Sequence, residues 1–485
     1  MKTNFRGADK PLFPFLHNDL YRLIDEDHLI FFLSQVLSDY DLSPILNSYR
    51  ADNIGRSPFD PGKMVLLLVF AYCRGSRSSR EIERLFEDSL GARAIFPADP
   101  PDHTTINRFR KDHEEALAAL LLHTIEKAKE CGLIDPTVGI VDGTKMKGNA
   151  SLSRNESEIA KIDREIEALD QAERMPVPED LPPHTVAARK RGRKSRRERR
   201  EEARKKLDDK QAKNQARLDE QKKNDEERAR IEAETGKKTR GRKRKQKSPE
   251  ETPVPKVNLT DPESEIMKTS KGYMQGYNAQ IVVTRHQIII AASVTTEQND
   301  LHQLTPMISE ALSTLETIGY DPGAMTTFLA DAGYFRAANL QANPSPTLEI
   351  LCPPARTSRE TKETLAAYKD HPENSPLAGH PRTTAEGMAH YLGTAEGKAR
   401  YKIRGTTVEP TFGQIKENRK TRGFMRRGKK ACQAEWKLIA AIHNLQKIRQ
   451  HVQDLKKAAS SLLLVGGLKK RCENKRQERF VFRNH

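Results

Sequence analysis

The chain has few of the features that mark a membrane protein or a disulfide-stabilised one. None of its apolar runs approaches the ~20 residues that a bilayer span needs, and no basic-then-apolar leader opens the sequence. Its five cysteines are far apart and form no C-x-x-C pair. We therefore expect a cytoplasmic protein with reduced thiols, without a membrane partner and without a zinc site.

What the chain has in excess is positive charge. Its 485 residues carry a formal net charge of +17, with 31% charged residues and a pI near 9.5. This length allows about two or three domains and a sizeable core. A strongly basic balance favours an anionic partner, and without a membrane signature that partner is expected to be nucleic acid.

Three short helices are predicted in the N-terminal part of the chain. Their starts are marked by residues that favour helix N-termini: Pro61, Ser78 and Asp102. The third helix carries Arg108 and Arg110, so the arrangement predicts a helix-turn-helix-like DNA-binding domain over residues 1–135. An ordinary helical subdomain with a basic face fits this segment equally well.

The composition changes sharply in residues 151–260, which hold 32 basic and 23 acidic side chains. A mixed-charge helix is predicted at about 198–231, and a short coiled-coil seam within 159–169 is its candidate partner. Basic clusters at 189–194 and 240–245 flank the helix. They contain the arginines that we predict to contact DNA: Arg191, Arg193, Arg240 and Arg242. Arg-Gly-Arg could enter a minor groove, although unspecific attraction to phosphates explains these clusters more simply.

The remaining segments, 136–150 and 261–455, predict an α/β domain, followed by a basic tail at 456–485. Five apolar segments predict strands: 138–141, 273–284, 286–294, 326–330 and 347–352. Without the insertion, the order is three strands, a helix, a strand, a helix, a strand and a helix. This order suits a mixed sheet flanked by helices, as in the ribonuclease H fold. The three-isoleucine run Ile288 to Ile290 suits a central strand.

Two of these strands end in an acid followed by a small residue. Asp142 ends the first strand and Asp331 ends the fourth, and these strands are neighbours in the ribonuclease H topology. A third acid, Glu409, precedes Pro410 at the predicted start of a helix, and Lys416 follows seven residues later on the same face. Three hard oxygen donors without Cys or His fit two Mg²⁺ or Mn²⁺ ions, which suit phosphodiester cleavage.

The segments around these acids resemble the three motifs of bacterial insertion-sequence DDE transposases. They read Ile140-Val141-Asp142-Gly143-Thr144-Lys145, Leu329-Ala330-Asp331-Ala332-Gly333-Tyr334 and Val408-Glu409-Pro410-Thr411-Phe412-Gly413-Gln414-Ile415-Lys416. The branch numbered eleven eighty-two is the most similar, and its N-terminal helical domain carries a motif similar to residues 101–110. The resemblance extends over about 60–450, apart from the insertion.

The resemblance implies a function and a set of site residues. Asp142, Asp331 and Glu409 would hold the metal ions, and Tyr401, Arg404 and Lys416 would complete a Tyr-Arg-Glu-Lys signature. Four residues separate Arg404 from Glu409, where the best-known form of the signature has three. The implied activity is that of a transposase, which binds terminal inverted repeats, cuts the DNA and joins it to a target, as a homo-oligomer with two element ends.

The sequence leaves two alternative functions for the chain and alternative roles for several acids and lysines. The chain could be a catalytically inactive DNA-binding or architectural protein, or a ribonuclease H-like nuclease without strand transfer. Asp300 is expected to cap a helix, and Glu417 is expected on the surface. Lys145 and Lys147 are candidate phosphate contacts, with a solubilising surface role as the alternative.

Overall fold

The fold is described from a computed structural model of the chain. It covers residues 23–49, 57–152, 155–156, 164–165, 167–168, 171, 183–236, 255–321 and 323–481, with the backbone alone at 155–156, 183–194, 235 and 459–481. Within these residues, no helix is both long enough and apolar enough to cross a membrane. The four cysteines whose side chains are described (Cys73, Cys131, Cys352 and Cys432) are free thiols.

The N-terminal part is helical, and capping side chains begin its helices where the sequence predicts them. The helices are α1 (Leu29–Val36), α2 (Ser43–Leu46), α3 (Pro61–Cys73), α4 (Ser79–Asp88), α5 (Leu90–Ile95), α6 (His103–Asp112) and α7 (Glu114–Glu130). Asp60 accepts the Lys63 N–H before α3, and Asp102 caps α6 in the same way. Ser78 and Glu81 form a capping box at α4. The three predicted helices are confirmed.

The described residues form a six-stranded mixed sheet. Its strands are β1 (Val138–Lys147), β4 (Glu265–Thr269), β5 (Gly272–Val283), β6 (Ile289–Thr295), β7 (Thr327–Leu329) and β8 (Glu349–Leu351). The antiparallel neighbour of β1 is β5, and its parallel neighbour is β7, which in turn pairs with β8. The outer edge of β5 pairs first with β4 and then with β6. The prediction that the first and fourth predicted strands lie side by side is therefore confirmed.

The expected central position of the isoleucine run is wrong. Strand β6 pairs only with β5 among the described strands, so it lies at the edge of the sheet. Its apolar side chains are buried because helices α7 and α14 (Lys429–Val481) pack against it. Continuous apolar character therefore reflects burial by helices here, and not by strands on both sides.

In the described part of the chain, five further α-helices lie between β6 and α14, and the starts of two of them differ from the prediction. They are α9 (Leu304–Thr317), α10 (Ala337–Gln341), α11 (Arg359–Ala367), α12 (Ala385–Gly393) and α13 (Ala395–Gly413). Gln303, not Asp300, is the N-cap of α9. Helix α13 (Ala395–Gly413) begins well before Pro410, which lies inside it. The segment expected as a basic tail continues α14 as far as Val481.

The insertion contains the long helix α8 (Pro183–Thr235), which attaches to the sheet domain near its middle. Ala203 and Leu207 pack against Val257 in a small separate apolar cluster. The ammonium groups of Lys206 and Lys210 each lie 2.8 Å from the Glu265 carboxylate. The chain enters and leaves the insertion through the paired strands β2 (Asn155–Glu156) and β3 (Val257–Asn258). The predicted seam at 159–169 involves Ile159, Ile162, Ile166 and Leu169, which lie outside the described residues.

A buried ionic cluster connects the N-terminal helices to α14. The Glu435 side chain is 2% exposed, and it accepts the backbone N–H groups of Met425 and Arg426 and a contact of 3.4 Å from Arg77. Arg77 also donates to the Gly423 carbonyl, at 2.7 Å. The apolar side chains of the N-terminal helices, the sheet and α14 form one continuous core. This cluster therefore fixes the 423–426 segment against both helical parts.

We predict that Glu435→Gln lowers the free energy of unfolding by about 3 kcal/mol, because it leaves Arg77 buried without its counter-charge. Urea unfolding followed by circular dichroism measures this difference. Glu417→Gln is the matched control, since Glu417 is 64% exposed and pairs only with Arg422 among the described residues. Equal stabilities of the two variants would contradict a structural role for the cluster.

Candidate active site

Asp142 lies in the middle of β1, and Asp331 lies two residues beyond the end of β7. The prediction that Asp142 ends its strand is wrong, because antiparallel pairing with β5 continues β1 as far as Lys147. Both acids follow the last parallel pair of the two strands. The register pairs Ile140 with Leu329, each two residues before its aspartate. Backbone N–H groups fix both carboxylates: Gly143 donates to Asp142 at 2.9 Å, and Gly333 donates to Asp331 at 2.8 Å. The sheet thus brings together two acids that are 189 residues apart in the sequence.

The guanidinium of Arg404 lies between these two carboxylates. Its Nη2 atom is 3.0 Å from Oδ2 of Asp142 and 3.7 Å from Oδ2 of Asp331. Arg404 projects from α13, which the Tyr401 hydroxyl attaches to the sheet by donating to the Ala330 carbonyl at 3.0 Å. One cation therefore offsets the repulsion between two partly buried carboxylates.

Burial dominates the electrostatics of Asp142. The pKa of its carboxyl is raised to about 6, first by desolvation and then by the nearby charges of Asp331 and Asp300, against the opposing charge of Arg404. The Asp142 side chain is only 16% exposed. A bound cation would stabilise the ionised form of this carboxylate, because its charge offsets the loss of hydration on burial.

Glu409 is not brought into contact with the two aspartates. It is exposed on α13, and its carboxylate lies over Gly405, where an added Cβ would be 3.7 Å from Oε1. Because α13 begins at Ala395, Glu409 is in mid-helix and not at a helix start, contrary to the prediction. A π-helical turn over 414–418 also changes the angular relation between Glu409 and Lys416 that regular helical spacing predicts.

The predicted lysines of the site lie around the end of β1. The Lys416 ammonium donates to the Thr144 hydroxyl, and burial lowers its pKa. Lys145 donates to the Gln298 carbonyl at 2.6 Å, and its side chain is 21% exposed. Lys147 is exposed, while its backbone bonds to residues 422 and 424. Lys147 thus presents an exposed ammonium, whereas Lys145 and Lys416 are held within the site.

The other predicted DNA contacts have different placements. Arg108 is exposed on α6. Arg110 is buried and donates to the Arg77 carbonyl at 2.6 Å, so its expected contact with DNA is replaced by a structural one. The remaining four arginines cannot be placed in contacts: the side chains of Arg191 and Arg193 in α8 are not described, and Arg240 and Arg242 lie outside the described residues.

The sequence prediction missed a polar network beside Asp142. Asp300 accepts hydrogen bonds from Asn278 and Gln280, each at 2.7 Å, and the Tyr334 hydroxyl donates to Gln280. Asn278 and Gln280 are alternate residues of β5 and share one face of the sheet. Two amides at alternate positions in the buried part of β5 were the available signal. Asp300 itself gave none that distinguishes it from a helix cap.

The donor types at this site suit a hard divalent cation. The carboxylates of Asp142 and Asp331 both face the Arg404 guanidinium. The thiol of Cys352 donates to the backbone carbonyl of Asp331 at 3.0 Å and not to its carboxylate, so the side-chain donors are oxygens. In the described part of the chain, no three His, Cys, Asp or Glu side chains form a group ready to hold a metal ion. Two carboxylates that already converge on one cation fit a metal site from which the third acid is displaced.

Comparisons with known proteins connect both ends of the chain to one function. A family described as "Transposase domain (DUF772)" matches residues 18–112, and one described as "Transposase DDE domain" matches residues 374–449. The second match contains Tyr401, Arg404, Glu409 and Lys416. Searches of curated proteins and of solved structures gave no match. The predicted relation to insertion-sequence DDE transposases is confirmed, and the numbered branch stays a prediction.

The raised pKa of Asp142 predicts a specific pH dependence of stability. A carboxyl that titrates near pH 6 when folded and near its ordinary value when unfolded costs stability as the pH rises through this interval. In EDTA, Asp142→Asn should therefore be more stable than the parent by up to about 3 kcal/mol at pH 8. The difference should shrink towards zero at pH 4. Urea unfolding at both pH values checks this, and a difference independent of pH would contradict it.

Proposed function

Since the chain is a DDE-type DNA transposase, we propose that Asp142, Asp331 and Glu409 hold the divalent ions that cut DNA at the ends of an insertion sequence and join it to a target. The observation that carries this proposal is the convergence of the Asp142 and Asp331 carboxylates on one guanidinium. Terminal inverted repeats are the proposed DNA sites, and a homo-oligomer that holds two ends is the proposed assembly. The proposed compartment is the cytoplasm, because the DNA substrate is there.

We propose further that the sheet is a ribonuclease H-like core. The order β6, β5, β1, β7 and β8, with the first three strands antiparallel and the last two parallel to β1, supports this. Residues 136–150 and 261–455 would form this domain, and 1–135 would form a helix-turn-helix-like part that binds DNA through exposed residues such as Arg108. The shared core of the two parts implies that they move as one unit on DNA.

DDE transposases use divalent metal ions, and here we propose two Mg²⁺ or Mn²⁺ ions per site. When bound, such ions stabilise the charge on the reacting phosphate and activate water or a 3′-hydroxyl as the nucleophile. Asp142 and Asp331 would bind the ions through the carboxylate oxygens that contact Arg404 in the structure. Glu409 would complete the ligand set from α13.

The cationic side chains have a separate role in this proposal. Withdrawal of Arg404 from the two aspartates would free its guanidinium for a DNA phosphate, for which its planar fork is well suited. Lys416, held near Asp142 by Thr144, and the exposed Lys147 would contact the same strand. Tyr401 already donates its hydroxyl to Ala330, so its role would be to position α13. A nuclease without strand transfer remains the second candidate, and analysis of the products for joined ends separates the two.

The ligand proposal predicts that Asp142→Asn, Asp331→Asn and Glu409→Gln each lower Mg²⁺-dependent DNA cleavage at least about a thousandfold, or about 4 kcal/mol. Each amide keeps the shape of the acid but lacks the charge that the ions need. Gel analysis of end-bearing DNA measures cleavage, and a filter or mobility assay measures binding, which should survive. Glu417→Gln should retain parental activity. Normal cleavage by Glu409→Gln would remove Glu409 from the ligand set.

The positive charge of helix α8 is concentrated in its first third. Residues 183–200 contain nine Arg or Lys side chains and one acidic side chain, whereas residues 201–235 contain ten basic and eleven acidic ones. The second part also forms the contacts of Lys206 and Lys210 with the sheet domain. We therefore propose that the first part, with Arg191 and Arg193, binds the DNA backbone and that the second part supports it.

This proposal predicts that the triple variant Arg191→Gln, Arg193→Gln and Arg196→Gln weakens DNA binding and reduces the slope of log K against log salt by up to about 3, since each lost phosphate contact contributes about 0.9. Its control removes three charges from the balanced part: Lys213→Gln, Lys222→Gln and Lys223→Gln. A fluorescence anisotropy titration at several salt concentrations measures both. Equal slopes for the two variants would mean that the basic cluster makes no specific contribution.

A further inference from the structure

The carboxylate of Asp300 lies between the first two acidic motifs, although its residue follows β6 and precedes α9. An added Cβ at Gly143 would lie 2.7 Å from Oδ1 of Asp300 and would collide with Nε2 of Gln280. An added Cβ at Gly333 would lie 3.6 Å from Oδ2 of Asp300. The glycine after Asp142 and the glycine two residues after Asp331 therefore leave the space that this carboxylate occupies.

One oxygen of Asp300 is held by side chains of β5. Asn278 and Gln280 both donate to Oδ1, at 2.7 Å, and the register places them opposite Lys145 and Gly143. The buried Tyr334 donates its hydroxyl to Oε1 of Gln280, which fixes the orientation of that amide. A chain of hydrogen bonds thus runs from the turn that follows Asp331 to the Asp300 carboxylate.

The other oxygen of Asp300 is left open. The described residues donate no hydrogen bond to Oδ2, and the side chain remains 23% exposed. Asn278 is fully buried, and its own Oδ1 has no hydrogen-bond partner in the described part of the chain. Burying an amide oxygen without a hydrogen-bond partner costs free energy. The hydrogen bond that the Asn278 amide donates to Asp300 is what this side chain contributes in return.

The network places a third negative charge beside two others. Lys145 lies 3.9 Å from Oδ1 of Asp300, and Arg404 contacts the other two acids, so the charge is only partly offset. Concentrating carboxylates in a partly buried site is unfavourable without a further cation. The arrangement becomes favourable once a hydrated divalent ion is present, because its water ligands donate hydrogen bonds to nearby carboxylates.

We propose that Asp300 is a positioning residue of the metal site, which accepts hydrogen bonds from metal-bound water through Oδ2 while Asn278 and Gln280 hold Oδ1. This inference rests on the proposed metal site of Asp142 and Asp331. It adds a fourth acid to that site, outside the ligand set, and it assigns a function to Asn278, Gln280 and Tyr334 as the support of that acid.

The variant Asp300→Asn tests the open oxygen. Its carbonyl oxygen can still accept from Asn278 and Gln280, while an amide NH₂ replaces Oδ2. We expect Mn²⁺ affinity, measured without DNA by electron paramagnetic resonance of the free ion, to fall about tenfold. The melting temperature in EDTA should stay at the parental value or rise, because a charge has been removed. A merely structural role would instead lower the melting temperature and leave Mn²⁺ affinity unchanged, which would overturn the proposal.

A second variant decides the question if Asp300→Asn does not fold. Asn278→Ala removes one donor to Oδ1 together with the unpaired buried oxygen, so we expect it to fold and to bind Mn²⁺ several-fold more weakly. Parental Mn²⁺ affinity in Asn278→Ala would overturn the proposal.

Controls separate this inference from the proposed function. Glu417→Gln should bind Mn²⁺ like the parent, and Asp142→Asn should bind it far more weakly. If Asp142→Asn loses Mn²⁺ binding while Asp300→Asn keeps parental affinity, the ligand proposal stands and the role of Asp300 fails. If the parent itself binds no Mn²⁺, both fail together.

Discussion

The repulsion between two carboxylates just beyond the parallel pairing of two adjacent strands is the constraint on which the site depends. Parallel pairing of β1 with β7 makes the proximity of Asp142 and Asp331 unavoidable, and burial increases its cost. Arg404 offsets this repulsion from a third element, α13, which therefore has to be held firmly against the sheet. The Tyr401 hydroxyl supplies one such attachment. The position of α13 and the charge state of the two acids are consequently coupled through the guanidinium of Arg404.

The second determinant of the architecture is the attachment of the 422–428 segment. The end of β1 bonds to it through Lys147, and Glu435 holds it through the backbone of Met425 and Arg426. Gly423 permits this close approach, because a Cβ there would lie 2.8 Å from the Lys147 carbonyl oxygen. Arg77 and the buried Arg110 reach the same region from the N-terminal helices. Part of the basic character of the N-terminal helices is thus structural, which explains why charge alone misassigned Arg110.

Local features could be predicted from the sequence because their causes are local. The Ser78 capping box and the apolar strand before Asp142 follow from local spacing. The adjacency of β1 and β7 is not local, and it was predicted from the order of strands and helices, which suits a known topology. The failures share a different cause. Pro410 marks a helix start by its intrinsic preference, yet α13 continues through it because packing of the helix on the sheet outweighs one lost hydrogen bond. Asp300 has the sequence context of a cap, and only contacts with β5, more than 20 positions earlier, place it in the site.

The pairing of β2 with β3 has a consequence for how this chain tolerates length. Asn155 lies opposite Asn258, so the roughly one hundred residues between them begin and end at neighbouring points of the sheet domain. The entropy of closing a loop grows only logarithmically with its length, by about 0.6 kcal/mol for each doubling. Once β2 and β3 are paired, the stability of the sheet depends only weakly on the length of the segment that connects them. The same crossing point could therefore accept or lose whole segments over evolutionary time while the catalytic strands keep their register.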